Sequence, residues 1–510
     1  MRPMTNFYRL LSDDEVEILH EKVLKILEDP GMKIENRTML DALKKKGAVV
    51  DLEGETAKIP AELIEEIIGM VQRDEVSRIE KKNKDNNLET AYPDMLTFSW
   101  HTPFRNRTPE VQASLGGGAP LYYDHEKKTN RYATEKDFLR TVDLAEAIPE
   151  ILTVGNAVHY IKENDGSDVS PKMVAIKGAA AVAKHSSKPG CTSIIDKRQL
   201  PYLMEMGRIV KGSGKDFIKN PILVNIHDTE SPLRVTRPEA AIMEEMIRHG
   251  LSIYILPMPL AGISTPVYPA AAAIIGAAEI LGVWAAVKAV SGECPVEASC
   301  VSGVLNPVTG AASFATPETV LIDLAVAQLF REKYGVPCGT GVGVIDAPIP
   351  GALSIYERTF KTMNSALAGE PSFQVGLIGG AVVFSIEQVL LDLDIASYQN
   401  QFIKGIGGDH FTDSLELIRE KGIGGLFIDS KHTASNFREC LSMTRTLNRI
   451  KSTSVTEALK NDPVDLAHER CLELLEDNKP YYIDEDKSKE IDRIVEAAEK
   501  ELSSVTGAME

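Results

Sequence analysis

The chain has 510 residues, and its 74 acidic and 56 basic side chains give it a formal net charge of −18 at pH 7. With 43% hydrophobic and 25% charged residues it can bury a core, which excludes an intrinsically disordered protein. The acidic balance and the absence of a long basic tract exclude a typical nucleic-acid-binding protein, because binding phosphates requires clustered Lys and Arg.

Several features of the sequence predict a cytoplasmic protein. The six cysteines are widely spread without a C-x-x-C pair, and the first residues lack the apolar segment of a secretory signal. Residues 251–278 are uncharged and long enough to span a membrane, but four prolines interrupt them. We therefore expect a buried core segment there and no membrane partner.

Residues 1–90 are predicted to form an N-terminal helical region. Ser12 and Glu15 have the spacing of a capping box, and apolar residues follow at helical intervals. A second helix is expected over residues 38–46, and a third from Pro60 to about Val71. The charged residues 75–92 then indicate an exposed excursion, and residues 91–145 a connecting or lid segment.

Residues 146–410 alternate short apolar runs with amphipathic stretches, which is typical of parallel strands joined by helices. The predicted strands cover residues 152–157, 191–195, 222–226, 253–257, 296–301, 338–344 and 373–378, with a weaker eighth strand near 395–403. The predicted helices cover residues 172–184, 200–210, 238–248 and 316–330. The fold class is therefore α/β, a (β/α)8 TIM barrel with N-terminal and C-terminal helical additions, the latter over residues 411–510. An open doubly wound sheet remains the alternative.

The carboxyl ends of the predicted strands are where a barrel carries its reactive groups. Candidates there are His159 and Tyr160 after the first strand, His227 and Asp228 after the third, Asp346 after the sixth, and Gly379 and Gly380 after the seventh. Aromatic residues in the same loops include Phe98, Trp100, Tyr356 and Phe384, of which Trp100 is a candidate lid residue. Carboxylates and aromatic faces together suit a quaternary ammonium ion, although an aromatic residue at a strand end more often serves core or rim packing.

Metal and phosphate sites are not expected. The cysteines and histidines lack the spacing of a zinc site, and no glycine-rich segment has a phosphate-binding pattern. The glycines of the predicted sixth strand, Gly341 and Gly343, leave room either for close approach of a bulky ligand or for tight packing of the strand.

A collinear series of segments resembles the trimethylamine methyltransferase family. The series includes residues 12–26, Gly116 to Pro120 with Asp124, residues 334–337, Gly341 to Asp346, Ser385 to Glu387 with Asp392 and Asp394, and His432 with Thr433. The resemblance implies a (β/α)8 barrel, a methylated amine as substrate, and a partner protein that carries cobalamin. The chain itself has no D-x-H-x-x-G segment of the kind that cobalamin-binding modules use, so the corrinoid is expected on a separate protein.

The resemblance also implies roles for particular residues. Founding members carry pyrrolysine in the segment similar to Gly341 to Asp346, whereas this chain has ordinary residues there, with Gly343 or Val344 nearest to that position. Such a member is similar to enzymes that demethylate quaternary amines such as glycine betaine, proline betaine or carnitine. The expected catalytic residues are Gly343, Val344 and Asp346, and the expected corrinoid contacts are Gly341, Gly343, Gly379 and Gly380. The expected substrate-binding residues are Phe98, Trp100, His159, Tyr160, His227, Asp228, Tyr356 and Phe384.

We therefore predict a methyltransferase that moves a methyl group from a quaternary amine to the Co(I) corrinoid of a partner protein, without a metal bound directly by this chain. A betaine carboxylate would need a donor, for which Arg105, His159, His227 and Arg234 are candidates. The alternatives are a barrel aldolase or lyase, for which no predicted strand ends in the Schiff-base lysine, and a non-catalytic methylamine-binding protein. A homo-oligomer is expected.

Overall fold

The computed structural model describes residues 8–85, 113–190, 192–211, 226–368, 373–403, 405–406, 410–442, 444–446, 455–456 and 461–502. The protein has a mixed α/β structure. The strands are β1 (Met32–Ile34), β2 (Val49–Asp51), β3 (Thr56–Lys58), β4 (Ala113–Leu115), β5 (Leu121–Asp124), β6 (Thr129–Tyr132), β7 (Ile151–Val154), β8 (Ile226–Asp228), β9 (Arg234–Val235), β10 (Ile253–Leu256), β11 (Leu260–Ala261), β12 (Val296–Cys300), β13 (Gly303–Leu305), β14 (Ala312–Ser313), β15 (Gly339–Thr340), β16 (Phe373–Gln374), β17 (Leu377–Ile378) and β18 (Val383–Phe384). The helices are α1 (Asp13–Glu28), α2 (Arg37–Lys45), α3 (Ala61–Asp85), α4 (Glu135–Ala147), α5 (Pro171–His185), α6 (Leu200–Lys211), α7 (Arg237–Arg248), α8 (Pro269–Val290), α9 (Pro317–Leu329), α10 (Ala352–Leu367), α11 (Ile386–Ile403), α12 (Phe411–Lys421), α13 (Lys431–Cys440), α14 (Pro463–Asp477) and α15 (Glu485–Leu502).

The N-terminal helices begin where the sequence places their start signals. The Ser12 Oγ accepts a hydrogen bond from the Glu15 amide at 3.3 Å, and the Glu15 Oε2 accepts one from the Ser12 amide at 2.8 Å, so the predicted capping box is confirmed. The predicted end of the third helix was wrong, because α3 continues to Asp85 through most of the charged stretch. That stretch is rich in Lys, Glu and Arg, which favour helix, and it has no Gly or Pro to end the helix.

Among the strands that pair in parallel, seven form two runs of three and four strands. The first run has the order β16-β4-β7, and the second has the order β15-β12-β10-β8. An isolated parallel bridge between Val154 and Pro189 extends the first run by one position. Helices separate these strands along the chain, which confirms the predicted alternation of parallel strands and helices. The pairings that would join the two runs into one closed barrel are not among those of the described residues.

Two of the strand predictions were wrong. The eighth strand, expected near residues 395–403, lies inside the helix α11, which is buried along most of its length and has no Gly or Pro to interrupt it. The strand that takes part in the parallel pairing instead is β4, in the predicted connecting segment 91–145. Its three residues, directly before Gly116, are too few to show a periodic pattern. Residues 192–195 of the predicted second strand are not strand, and Cys191 and residues 222–225 lie outside the described part.

Helix α8 lies at the centre of the core. Its side chains are almost all buried, and it packs against α1, α2 and α3 on one side and α9 on another. Of the helices that the structure describes, it is the one long and apolar enough to cross a membrane, and 78% of its most apolar window is buried inside the protein. The predicted buried core segment is therefore present, with its helix beginning at Pro269.

The described C-terminal part of the chain contains the helices α12 to α15. Helix α14 packs on α11 and α4, and helix α15 packs on α5 and α6. Each of these two helices buries one apolar stripe, formed by Val464, Ala467 and Cys471 in α14 and by Ile491, Ile494, Ala498 and Leu502 in α15. The C-terminal helices thus complete the outer layer of the α/β structure.

Two helical glycines lead to opposite predictions for stability. A Cβ at Gly282 in α8 would lie 2.0 Å from the Met32 Sδ and 3.2 Å from a Leu27 methyl group, whereas a Cβ at Gly69 in α3 would meet its nearest atom at 3.4 Å. We expect Gly282→Ala to lower the free energy of unfolding by about 1–3 kcal/mol through overpacking. We expect Gly69→Ala to raise it by about 0.5–1 kcal/mol through better helix propensity. Thermal unfolding of the two variants measures both effects, and a rise in melting temperature for Gly282→Ala would contradict the close approach of α8 to the N-terminal region.

Candidate functional site

The two faces of the second strand run differ in what they contact. Ile253, Ile255, Val296 and Ala298 point outward into the main core beneath the helices, whereas Tyr254, Leu256 and Val301 form a separate cluster on the opposite, inner face. Ile226 and Val344 pack against this inner cluster. The alternation follows from the pleat of a strand, in which successive side chains point to opposite faces.

This alternation separates the two adjacent residues predicted at the end of β8. His227 points outward and is fully buried, with its Nδ1 2.5 Å from Glu239 Oε1 and its Nε2 3.3 Å from the Met246 Sδ, both on the helix α7. Asp228 is in register with Leu256, so it lies on the inner face. Of the two predicted substrate-binding residues, only Asp228 is therefore placed to contact a ligand on the inner face.

The inner face of the second run combines acidic and aromatic groups. Tyr254 lies in register between Ile226 and Glu297, and its hydroxyl is hydrogen-bonded to Ser299 on β12. Part of Asp228 is exposed to solvent, but the protein around its carboxyl group displaces water and thereby raises the pKa of Asp228 to about 6, with repulsion from Glu239 as a further cause. A carboxyl group with this pKa is mostly ionised at pH 7, so the inner face carries negative charge beside an aromatic ring.

The first run, β16-β4-β7, carries neutral polar groups on the face that is turned away from the main core. Ser114 is in register with Gln374 and Thr153, while the flanking residues Ala113 and Leu115 point into the main core. Ser114 and Gln374 are buried, and the Ser114 Oγ and Gln374 Nε2 have no hydrogen-bond partner in the structure. Since buried polar groups are normally paired, these two donors are available to a ligand.

The segment Gly341 to Asp346 follows β15 and is fixed by buried charged side chains of the helices α9 and α10. The Asp323 Oδ2 accepts a hydrogen bond from the Gly341 amide at 2.9 Å, and the Arg358 guanidinium donates one to the Val342 carbonyl at 3.0 Å. Arg358 is itself paired with Asp392 at 2.9 Å, and both side chains are fully buried. Burial raises the pKa of Asp323 to about 6, although its hydrogen bonds and the charge of Lys361 favour the ionised form.

Helix α10, which carries Arg358, also fixes the second half of the segment Gly341 to Asp346. The fully buried Lys361 donates to the Val344 carbonyl at 2.8 Å, and burial lowers the pKa of this lysine to about 8. The Glu357 Oε2 accepts hydrogen bonds from the amides of Asp346 and Ala347 at 2.9 and 2.8 Å. Helix α10 therefore holds the backbone on both sides of Gly343, whose Cβ position would lie 3.3 Å from the Gln374 Cβ.

The predicted catalytic and cofactor-binding residues are brought together, with different surroundings. Val344 reaches the inner cluster and Gly343 adjoins Gln374, whereas Asp346 accepts hydrogen bonds from the backbone amides of residues 314 and 315. Gly379 and Gly380 form a turn with positive φ, and their amides donate to the carbonyls of residues 347 and 345 at 2.7 Å. A Cβ at Gly341 would lie 2.8 Å from Asp323 Oδ2, so tight packing explains this glycine.

Apart from His159, the remaining predicted substrate-binding residues are dispersed. Tyr160 is buried against Phe138, and Phe384 is fully buried beneath Gly376. Tyr356 is 69% exposed on α10, and Arg234 pairs with Glu35 and Glu230 at the surface. Phe98, Trp100 and Arg105 lie outside the described residues. His159 lies against Gly118, has no partner for its Nε2, and has its pKa lowered to about 4 by burial, so it is neutral at pH 7.

One group of possible metal ligands occurs among the described residues. His125, Glu387 and His468 place ligand atoms within 4.8 Å of one another. However, the two imidazole rings are stacked, with centroids 4.0 Å apart and planes at 8°. The lone pairs of imidazole lie in the ring plane, so nearly parallel rings do not direct them at one ion. This geometry instead suits a stacked pair hydrogen-bonded to Glu387, whose Oε1 lies 2.7 Å from the His468 Nδ1.

Comparison with known families identifies the chain. The family described as Trimethylamine methyltransferase (MTTB) matches residues 1–503, nearly the whole sequence. The chain belongs to this family. It is a methyltransferase, as the series of sequence segments predicted.

Related proteins match over almost their full lengths. A protein named trimethylamine methyltransferase MttB from Desulfitobacterium hafniense (strain DSM 10664 / DCB-2) is 24% identical over 96% of this chain and 94% of its own length. A protein named glycine betaine methyltransferase from Desulfitobacterium hafniense (strain Y51) is 25% identical over 97% of this chain and 98% of its own. The crystal structure of the Methanosarcina barkeri monomethylamine methyltransferase (MtmB) aligns with a TM-score of 0.46 and 10% identity, over 92% of this chain and 89% of that one.

In this methyltransferase, the charged residues that hold the site together are not among those predicted from the sequence. Asp323, Glu357, Arg358 and Lys361 are charged residues within helices, and such residues are usually read as part of a solvated surface. The spacing of residues 357, 358 and 361 places them on one side of α10, which was the available signal. Ser114 was not predicted because its strand has only three residues, and Gln374 was not predicted because it lies inside the predicted strand 373–378 rather than at its carboxyl end.

Glu357 provides a test of this arrangement. We expect Glu357→Leu to expose the amides of residues 346 and 347 to faster hydrogen exchange and to lower the free energy of unfolding by about 1–3 kcal/mol, because two buried donors lose their acceptor. Glu357→Gln keeps one acceptor oxygen and is the matched control, with a smaller effect. Unchanged exchange of both amides in Glu357→Leu would show that the segment is held by other contacts.

Proposed function

We propose that this methyltransferase moves a methyl group from a quaternary amine, of the glycine betaine, proline betaine or carnitine type, to the Co(I) corrinoid of a separate protein. We further propose that the two strand runs close into an eight-stranded (β/α)8 barrel, with the Val154–Pro189 bridge marking one strand position. Closure brings the two inner faces opposite each other and makes them one site. The observation that carries the proposal is the inner-face combination of Asp228 and Tyr254 beside the fixed segment Gly341 to Asp346.

The charge distribution of the inner face supports a cationic substrate. A quaternary ammonium ion has no N–H to donate, so it is bound by negative charge and by aromatic faces. Asp228 and Glu297 supply carboxylates and Tyr254 supplies a ring on the same face. Trp100 and Phe98 stay predicted contacts from the loop beyond the described residues. Together these groups provide what a methylated ammonium requires, without a hydrogen bond to nitrogen.

The neutral donors of the first run support a betaine-type substrate. A betaine carries a carboxylate at a short distance from its ammonium group. This carboxylate needs uncharged hydrogen-bond donors, because a cationic donor would neutralise the acidic groups that bind the ammonium. Ser114 Oγ and Gln374 Nε2 are buried without partners, and His159 is neutral with a free Nε2. Their position opposite the acidic run would orient the zwitterion across the site.

The reaction requires alignment more than acid–base chemistry. The C–N bond breaks with its electron pair staying on nitrogen, so a quaternary amine leaves as a neutral tertiary amine and no side chain has to protonate it. The corrinoid of the partner would supply the Co(I) nucleophile that accepts the methyl group. The role of this chain is to hold nitrogen and methyl carbon in line, for which a fixed backbone around Gly343 is suited. Weak binding of the cation also avoids stabilising the bound substrate more than the transition state.

The rim of the site fits a partner protein that carries a large cofactor. Several apolar side chains on the segments that follow the parallel strands are exposed. Ile263, Val267, Tyr268 and Val308 are in loops, Leu305 ends β13, and Leu353 and Tyr356 are in the first turns of α10. Val308 is 91% exposed and Tyr268 73% exposed. Such a rim supports docking of a corrinoid protein over the inner face.

The first test is methyl transfer by the purified protein. Reduced cobalamin, and then a cognate corrinoid protein, is mixed with glycine betaine, proline betaine, carnitine or trimethylamine, and the conversion of Co(I) to methyl-Co(III) is followed by absorbance. We expect transfer from one of the quaternary amines and none from trimethylamine. Transfer from trimethylamine alone would overturn the substrate class, and no transfer from the whole panel with the corrinoid protein present would overturn the proposed activity.

The second test concerns the charge of Asp228. Because its pKa is raised to about 6, the carboxylate is lost on acidification, and affinity for the amine is expected to fall about tenfold from pH 7 to pH 5, in proportion to the ionised fraction. Asp228→Asn should weaken substrate binding about tenfold at pH 7 and remove this pH dependence. Glu230→Gln, at a nearby exposed carboxylate paired with Arg234, is the control and should keep the wild-type substrate affinity and its pH dependence. A wild-type pH profile in Asp228→Asn would exclude the residue from the cation site.

A further inference from the structure

Helix α8 carries a buried acidic residue that is bonded to the segment after β8. Glu279 is fully buried in a helix that is otherwise almost entirely apolar. Its Oε2 accepts hydrogen bonds from the hydroxyls of Thr229 and Ser231, and its Oε1 accepts one from the Leu233 amide at 2.7 Å. Burial raises the pKa of the Glu279 carboxyl, because removing a carboxylate from water is costly. A residue that bears this cost in the middle of the core indicates a specific task.

The number of donors explains why this residue is a glutamate. Both oxygens of a carboxylate accept hydrogen bonds, whereas a glutamine has one acceptor oxygen and would turn its NH₂ group toward a donor. The three donors lie on residues 229, 231 and 233, so every second residue of the segment is bonded to Glu279. One side chain of α8 therefore fixes five consecutive residues after β8.

The segment fixed by Glu279 includes a strained residue. Leu233 has a φ of 61°, in the left-handed region that a bulky residue rarely adopts. Such a conformation persists only where the surrounding structure enforces it, and it occurs preferentially near functional sites. Here the Leu233 amide donates to Glu279, and the Leu233 carbonyl accepts a hydrogen bond from the Lys33 amide at 2.9 Å. Contacts on both sides of the residue thus impose the path of the chain.

The same contacts determine where Asp228 points. Its two neighbours in the chain are both bonded to helices on the core side of the strand, His227 to Glu239 on α7 and Thr229 to Glu279 on α8. Successive side chains of a strand point to opposite faces, so two neighbours held toward the core direct the residue between them to the inner face. A shift of the strand by one residue would turn Asp228 into the core and break both anchors.

We propose that Glu279 is a positioning residue that holds the Asp228 carboxylate on the inner face, toward the ammonium group of the substrate, by fixing Thr229. The inference rests on the proposed function, in which Asp228 binds the amine. Glu279 lies in α8 on the core side of the strand, so it acts through the segment 229–233 and does not contact the substrate. A carboxylate that is already oriented loses little conformational freedom when the cation binds, which favours both affinity and alignment.

The test is a double-mutant cycle on amine affinity in the full-length protein. Glycine betaine, proline betaine and carnitine are titrated by calorimetry, and the cycle uses the one that the wild type binds most tightly. Thr229→Val removes the hydroxyl that reaches Glu279 and should weaken binding about threefold to tenfold. Thr229→Ser keeps the hydroxyl and should restore affinity to within about twofold of the wild type. In the Asp228→Asn background, Thr229→Val should have no further effect, because the group that it positions is already lost.

Thr236→Val is the matched control for the loss of a threonine hydroxyl. Thr236 precedes α7 by one residue, and its side chain makes no capping hydrogen bond. This variant should keep the wild-type affinity for the amine. A loss of affinity as large as that of Thr229→Val would show that any such change in this region disturbs binding, and it would overturn the specific role of Glu279.

Two outcomes would overturn the positioning role alone. The first is an equal loss of affinity on Thr229→Val with and without Asp228→Asn, since the two residues would then act independently. The second is a wild-type affinity in Thr229→Val with a lowered melting temperature, which would show a purely structural role. In contrast, wild-type affinity in Asp228→Asn, or no binding of any of the three amines by the wild type, would overturn the proposed cation site and this inference together.

Two further variants keep the proposal testable if Thr229→Val does not fold. Glu279→Gln removes one acceptor oxygen, and Ser231→Ala removes a second hydroxyl contact at a half-buried position. Both should weaken amine binding, about threefold to tenfold for Glu279→Gln and about twofold for Ser231→Ala, and neither should do so in the Asp228→Asn background. Wild-type affinity in both variants would overturn the positioning role of Glu279.

Discussion

The arrangement of the site depends on a set of ionised side chains that are buried beneath it. Arg358 and Lys361 donate to carbonyls of the segment after β15, and Asp323 and Glu357 accept from its amides. A backbone segment that is neither helix nor strand leaves its polar groups unpaired, and burial makes that costly. The charged side chains of α9 and α10 supply the missing partners, so an irregular segment can be placed rigidly at the edge of the sheet.

This solution has an energetic cost that an apolar core would avoid. Removing charges from water costs several kcal/mol for each ion, which the pairing of Arg358 with Asp392 and the hydrogen bonds to the backbone must offset. The raised pKa of Asp323 and the lowered pKa of Lys361 express that cost. A buried ionic network is therefore better understood here as fixing one backbone geometry than as adding stability. In a methyltransferase, where reactivity depends on alignment, such a geometry is what the protein has to provide.

The sequence predicted the parts of the fold that leave a periodic or capping pattern. The Ser12–Glu15 capping box, the alternation of helices with parallel strands and the buried segment that contains α8 all have such patterns, and the structure contains them. The strand β4 is too short for a pattern, and part of α11 was predicted as a strand because its apolar residues are buried on several sides. At the site, the sequence alone does not show that His227 and Asp228 point to opposite faces of the sheet. The face to which each side chain points depends on the register of β8 with its neighbour.

Helix α8 has a consequence for how the chain reaches its native state. It is long and apolar enough to cross a membrane, and inside the protein it is covered by the helices that pack against it. Three of the helices that cover it, α1, α2 and α3, precede it in the chain, so they have already been synthesised when α8 leaves the ribosome. The N-terminal region can thus cover this long apolar helix during synthesis, in addition to its place in the finished fold.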